Sequence, residues 1–187
     1  MEYANKTALL VMDLQNPIIQ SIENPTAIVD NVSKAIAQAR AKNIPVIYVV
    51  VGFRPEAPEI SEQNKTFSVI NNKAMWTPEF SAQWEQIHID LTPQAGEIIV
   101  TKRRISAFTG SDLEVVLRSQ GIRHLVLTGI STSGVVLSTI REAADKDFQL
   151  TVIADCCADT DTEVHEVLTT KVFPVQAEVI NLDSWLS

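Results

Sequence analysis

Positive charge is scarce in this chain. Fifteen Lys and Arg stand against 23 Asp and Glu, a formal net charge of −8 at pH 7. Nucleic acid and anionic membrane surfaces are poor partners for such a protein unless a local basic patch overrides the average. The one tight basic cluster, Lys102-Arg103-Arg104, is too short to do so. Long apolar runs are missing too. The longest, Ile44 to Phe53, contains Pro45 and falls short of the ~20 residues a membrane span needs. Cysteine is limited to the neighbours Cys156 and Cys157. A bridge between adjacent residues distorts both peptide and disulfide, so two free thiols in a reducing cytoplasm are expected. Met1-Glu2-Tyr3-Ala4-Asn5-Lys6 shows no basic region followed by an apolar one, and no export signal is read there. Histidine occurs three times, as His88, His124 and His165, with no i,i+4 pairing. No metal and no cofactor are expected.

What is present is ordinary globular material. The 187 residues, at ~150 per domain, give a single domain over 1–187. A domain of this size buries ~70% of its unfolded surface and needs neither metal nor disulfide to fold. Apolar residues at 45% and charged ones at 20% argue against disorder and coiled coil.

Strand-like and helix-like runs alternate. Thr7 to Asp13 is a short apolar run closed by a carboxylate. Asn24 and Pro25 open a helix whose apolar face is Ala27, Ile28, Val32, Ala35, Ile36 and Ala39. Ile44 to Val51 reads as a strand buried on both faces. Glu97 to Thr101, His124 to Gly129, Leu150 to Ala154 and Val175 to Ile180 complete six strands. Ser111 with Glu114, and Thr160 with Glu163, read as capping boxes of two further helices, and another runs from Thr132 to Asp147. Strands separated by helices of about 10–15 residues predict an α/β fold, three layers around a doubly wound parallel sheet. Ligands of such sheets sit beyond the carboxyl ends of the strands. That edge holds Asp13, Lys102 and the loop from Ile130 to Val135. The long segment Gly52 to Gly96 is expected to fold over it as a lid or an oligomer contact.

Asp13 alone would be read as a turn residue, and Lys102 alone as a lysine reaching for solvent. Together they place a carboxylate and an ammonium at one sheet edge, a pair able to hold an acid or base in a defined protonation state. Three blocks then gain weight jointly: Val11-Met12-Asp13-Leu14-Gln15-Asn16, Thr101-Lys102-Arg103-Arg104-Ile105-Ser106-Ala107-Phe108, and Leu127-Thr128-Gly129-Ile130-Ser131-Thr132. In this order they resemble the isochorismatase-like cysteine hydrolases, which include nicotinamidases, carbamoylsarcosine and ureidoacrylate amidohydrolases, and isochorismatases. The resemblance covers nearly the whole chain. It implies the strand order 3-2-1-4-5-6, a homo-oligomer, and an Asp-Lys-Cys triad whose first two members are Asp13 and Lys102. It further implies a cis peptide at Ile130-Ser131, with backbone N–H groups of Ser131 and Val135 as an oxyanion hole.

The family's nucleophilic cysteine falls at Val135, six residues after Gly129. Isochorismatases proper carry glycine there and use the aspartate as an acid on a vinyl ether; valine offers neither a thiol nor the space. Ser133 and Ser138 flank the position without falling on it, and Ser131 and Thr132 read as caps of the following helix. Cys156 and Cys157 follow the fifth strand, one strand too far along, and read as small buried hydrophobes. Metal-binding nicotinamidases carry histidines after the second strand, where Gly52 to Ser61 has none.

Gln15, Arg54, Trp76, Arg103 and Phe108 are the candidates for contacts to an anionic or planar ligand. The plainer reading of the aromatics is packing, and that of Arg103 a solvated charge. Three functions stay open. One is hydrolysis of a small C–N or C–O substrate by water, with Asp13 as acid or base beside Lys102. Another is a silent member that binds a small carboxylate or amide. The third is a structural subunit of an oligomer.

Overall fold

The computed structural model describes residues 6–70 and 72–187; residues 1–5, on which the export-signal reading rests, lie outside the described residues. Six strands, β1 (Thr7–Met12), β2 (Val46–Val51), β3 (Ile98–Lys102), β4 (His124–Ile130), β5 (Gln149–Ala158) and β6 (Glu178–Ile180), form one sheet. Its order is β3-β2-β1-β4-β5-β6 and every neighbouring pair is parallel. The helices α1 (Asn16–Ile19), α2 (Pro25–Ala41), α3 (Lys65–Ser68) and α4 (Pro78–Trp84) precede β3. They are followed by α5 (Leu113–Ser119), α6 (Leu137–Asp145), α7 (Thr162–Val167) and α8 (Leu182–Leu186).

Strand β1 shows why the central strands carry no polar alternation. Ala8, Leu10 and Met12 pack into one core with α5 and α6, while Leu9 and Val11 pack into a second core with α2 and α8. Both faces are covered, so every position is apolar or buried. Side chains of this kind each contribute about 1.5–3 kcal/mol on burial. Helix α2 starts as its sequence implies: Asn24 accepts a hydrogen bond from the Ala27 N–H, and Pro25 is its first residue. Ile28, Val32, Ala35, Ile36 and Ala39 face the sheet side, whereas Ala27, expected on that face, is exposed and Val29 is buried.

Several boundaries move. The expected box at Ser111 and Glu114 does not form: Ser111 Oγ accepts from the Leu113 N–H, and Glu114 pairs with Lys146 at 2.7 Å. At α7 the cap is Asp161, bonded by the Val164 N–H, rather than Thr160. The helix expected from Thr132 begins instead as a π-turn, Thr132–Val136, and becomes α-helical only at Leu137. Strand β5 runs on to Ala158, so Cys156 and Cys157 lie inside the strand, not after it. Strand β6 starts only at Glu178, because Phe173–Val175 forms a 3-10 turn around Pro174.

The segment from Gly52 to Gly96 closes on an aromatic cluster of its own. Trp76 sits edge-on to Phe53, Phe80 and Trp84, with ring centroids 5.1–5.5 Å apart. Gln15 fastens it to the sheet: its side chain accepts from the Val51 N–H at 2.7 Å and donates to the carbonyls of Val51 and Trp84. Gly129 in β4 has φ +149°, and a Cβ there would meet the Met12 carbonyl oxygen at 2.3 Å. Gly129→Ala is therefore expected to destabilise the fold by about 3 kcal/mol or more, read as a lowered urea midpoint at constant slope.

Candidate active site

Asp13 is the first residue past β1 and takes the left-handed φ of 57°, which an aspartate tolerates better than most residues. Its N–H still bonds to the Val49 carbonyl, which holds it at the sheet edge. Lys102 ends β3, two strands away, and β2 lies between them with Val51 in register with Lys102. The long lysine side chain crosses that gap, and its Nζ stands 2.9 Å from Asp13 Oδ2. The side chains are 2% and 8% exposed respectively, so the pair is shielded from water. Lys102 Nζ also donates to the Arg104 carbonyl at 2.8 Å, whereas Asp13 Oδ1 is buried with no partner. Burial pushes the Asp13 carboxyl above the ordinary carboxylate value, opposed by the Lys102 ammonium.

The loop after β4 forms the facing wall. Its Ile130-Ser131 peptide is cis, and the π-turn that follows brings the buried Val135 to the same cavity as Asp13 and Lys102. That cavity has a volume of about 280 Å³. Small-molecule sites span ~300–1,000 Å³, so this one suits a small ligand. Ile18, Phe67 and Ile105 supply apolar wall, and Ser131, Ser133 and Asp159 supply polar wall. No cysteine lines it among the described residues.

None of the five expected ligand contacts lies on this cavity. Gln15 is fully buried and its amide is spent on backbone groups, and Trp76 is enclosed in the aromatic cluster. Phe108 packs in the core against Phe148, their centroids 6.0 Å apart. Arg54 pairs with Glu59, and Arg103 bridges Glu59 at 3.7 Å and Glu85 at 3.9 Å. Ser133, expected off the pocket, does line it, and Ser138 does not.

Asp159 and Phe67 were not singled out by sequence reasoning. The signal for Asp159 is the carboxyl-edge rule applied to a longer fifth strand: Ala158 pairs with Ile130, so the next residue lies beside Ser131. Asp159 Oδ2 accepts from the Ser133 N–H at 2.7 Å and so holds the turn in place.

The histidines serve structural contacts. His124 touches the hydroxyls of Thr7 and Thr151, and His88 accepts from the Asp90 N–H. His165 meets the Thr132 hydroxyl at 2.8 Å, and its burial lowers its pKa. Among the described residues no group of three His, Cys, Asp or Glu is placed to hold a metal ion, and no helix is long and apolar enough to cross a membrane.

Both thiols are buried. Burial pushes Cys157 up to about 12 and raises Cys156 further. A thiol-reactive chromogen at pH 8 should therefore label neither cysteine in the folded protein and both in denaturant. Rapid labelling of either one in the folded state would show a reactive thiol that the structure does not contain.

The isochorismatase domain family matches residues 7–184, and the chain belongs to that family. A ureidoacrylate amidohydrolase, RutB, from Pseudomonas syringae pv. syringae is 33% identical, over 97% of this chain and 80% of its own. N-carbamoylsarcosine amidase from Arthrobacter is 30% identical, over 79% of this chain and 57% of its own. An isochorismatase family protein from Burkholderia thailandensis superposes with a TM-score of 0.84 at 28% identity, over 97% of this chain and 96% of its own. A cysteine hydrolase from Pseudomonas syringae pv. phaseolicola shares the fold with a TM-score of 0.88 at 20% identity, over 98% of this chain and 92% of its own.

Proposed function

We propose that this protein hydrolyses a small C–N or C–O bond with water as the attacking group, Asp13 moving the proton and Lys102 holding its charge. The observation that carries the proposal is the buried Asp13–Lys102 pair on the wall of a cavity that Val135 also lines and that no thiol lines among the described residues. An ion pair taken out of water on a cavity wall is a weak device for stability, which favours a chemical role. The amidase names among the relatives favour the C–N bond.

In amide hydrolysis Asp13 accepts a proton from water as the oxygen adds to the carbonyl carbon, then delivers that proton to the departing nitrogen. Backbone N–H groups of Ser131 and Val135 are the proposed donors to the oxyanion. Lys102 keeps Asp13 ionised against the pull of burial. For a vinyl ether the roles begin the other way round, with protonated Asp13 donating to carbon.

The two chemistries carry opposite pH signatures. A base must be ionised, so kcat/KM for an amide rises with pH through the elevated Asp13 pKa and then levels. An acid must be protonated, so kcat/KM for a vinyl ether falls through the same pKa. Rates on propionamide and on a methyl vinyl ether from pH 4 to 9 test this. The expected result is a rising limb on the amide, with its midpoint above the ordinary ~3.9 of aspartate. Lys102→Met should move that limb up by about one unit or more, because an opposite charge within ~4–6 Å lowers a carboxyl pKa by 1–3 units. A profile without a limb, or one that Lys102→Met leaves in place, would remove Asp13 from the chemistry.

A further inference from the structure

The charge lining the candidate site is acidic, and its arrangement bears on what the site accepts. Two carboxylates, Asp13 and Asp159, and one ammonium, Lys102, line the cavity. Lys102 already faces Asp13 at 2.9 Å. No arginine lines the cavity among the described residues, although three lie close to it in sequence. Each is engaged elsewhere: Arg54 and Arg103 pair with Glu59, and Arg104 donates to the carbonyls of Arg103 and Glu59. A ligand carboxylate entering here would find no cation free to meet it.

Two further observations point to a donor on the ligand. Asp13 lines the cavity with a side chain more than nine-tenths buried, and its Oδ1, itself out of reach of solvent, has no hydrogen-bond partner. A carboxylate oxygen left bare costs its full desolvation, so a small rotation of the carboxylate that brings it to a ligand N–H or O–H is favoured. Asp159 and Thr160 also line a second cavity, of about 260 Å³. That cavity adds Glu23 and Asp155 and has no Lys or Arg in its wall among the described residues. The way along Asp159 is acidic on both sides.

We infer that the site selects against anionic substrates and takes a small amide that is neutral or carries a cationic amino group, with Asp159 as the specificity-determining residue. The inference deepens the hydrolase reading of the same cavity and rests on it for the reacting end. The amide N–H group meets the Asp13 carboxylate. A positive group on the far end lies toward Asp159, where a charge-assisted hydrogen bond is stronger than a neutral one. The acidic balance of the whole chain, −8 at pH 7, reinforces the bias on approach.

Three amides that share a propionamide unit and carry hydrogen, an ammonium or a carboxylate on its third carbon separate the charges: propionamide, β-alaninamide and succinamate. Their affinities by saturation-transfer NMR or calorimetry, and their turnover by ammonia release, are measured on the wild type and on Asp159→Asn. The asparagine keeps an oxygen for the Ser133 N–H, and thermal unfolding checks that the fold is retained. The expected result is β-alaninamide bound at least about tenfold more tightly than succinamate, the scale of one charge-assisted bond. Asp159→Asn should cut that preference about tenfold, and high salt should shrink it in the wild type. Binding in this order without turnover supports the charge selection and counts against the hydrolase reading. Succinamate as the best ligand, equal binding of all three, or binding of none would overturn the inference. Turnover that favours succinamate would do so while leaving the hydrolase reading intact. The wild-type series decides the charge selection even if Asp159→Asn fails to fold, and a folded Asp159→Asn protein that keeps the full preference would overturn the role of Asp159.

Discussion

Asp13→Asn is expected to lower kcat/KM by ~10²–10⁴-fold, the range contributed by a positioned acid or base. Asparagine keeps the shape and one carbonyl oxygen but can neither accept the proton from water nor return it to the leaving nitrogen. It also leaves the Lys102 ammonium in a buried place without a counter-charge, its partners reduced to neutral carbonyl oxygens. Removing one member of a buried pair costs about 3–5 kcal/mol, so thermal unfolding has to accompany the kinetics. The loss expected here exceeds any unfolded fraction and falls on kcat, because the proton moves only in the transition state. A folded Asp13→Asn protein with wild-type turnover would leave the ion pair as a structural feature alone.

The second large effect is a gain. Val135→Cys places a thiol on the cavity wall shared with Asp13 and Lys102. Cysteine is smaller than valine and gives up some packing, for which a buried Val costs on the order of 1 kcal/mol. In return Asp13 stands ready to accept the thiol proton and Lys102 favours the thiolate. The new cysteine should titrate below the unperturbed ~8.5 and react with iodoacetamide far faster than Cys156 or Cys157, both raised by burial. With propionamide it should also accumulate an acyl-enzyme thioester. A Val135→Cys thiol that titrates at ~8.5 or higher would mean that position 135 does not face the pair.

The sheet was legible because its central strands are apolar without a break. Thr7–Met12 and Val46–Val51 are buried at every position, a pattern open to a strand covered on both faces. Asp13 and Lys102 were legible because a charge that closes such a run can only stand at the carboxyl edge. The remaining contacts were not, since distant partners decide them. Nothing near Gln15 in sequence announces that its amide will bond Val51 and Trp84, 36 and 69 residues on. Phe108 turns inward because Phe148 waits for it in the core, and Arg103 turns outward to Glu59 and Glu85. Asp159 escaped notice for a local reason. The half-exposed Ala154 and exposed Asp155 interrupt the apolar pattern of β5 four residues before the strand ends.

Water as the attacking group is the claim on which the proposed chemistry turns, and intact-protein mass spectrometry tests it most directly. Wild-type protein is quenched in acid while it hydrolyses propionamide, with Val135→Cys treated in parallel as the control able to hold an acyl group. Direct attack by water predicts the unmodified mass for the wild type at every time point while ammonia is released, and an added propionyl mass for Val135→Cys. A propionyl adduct on the wild-type chain, at Cys156, Cys157 or Ser133, would contradict it and name the nucleophile.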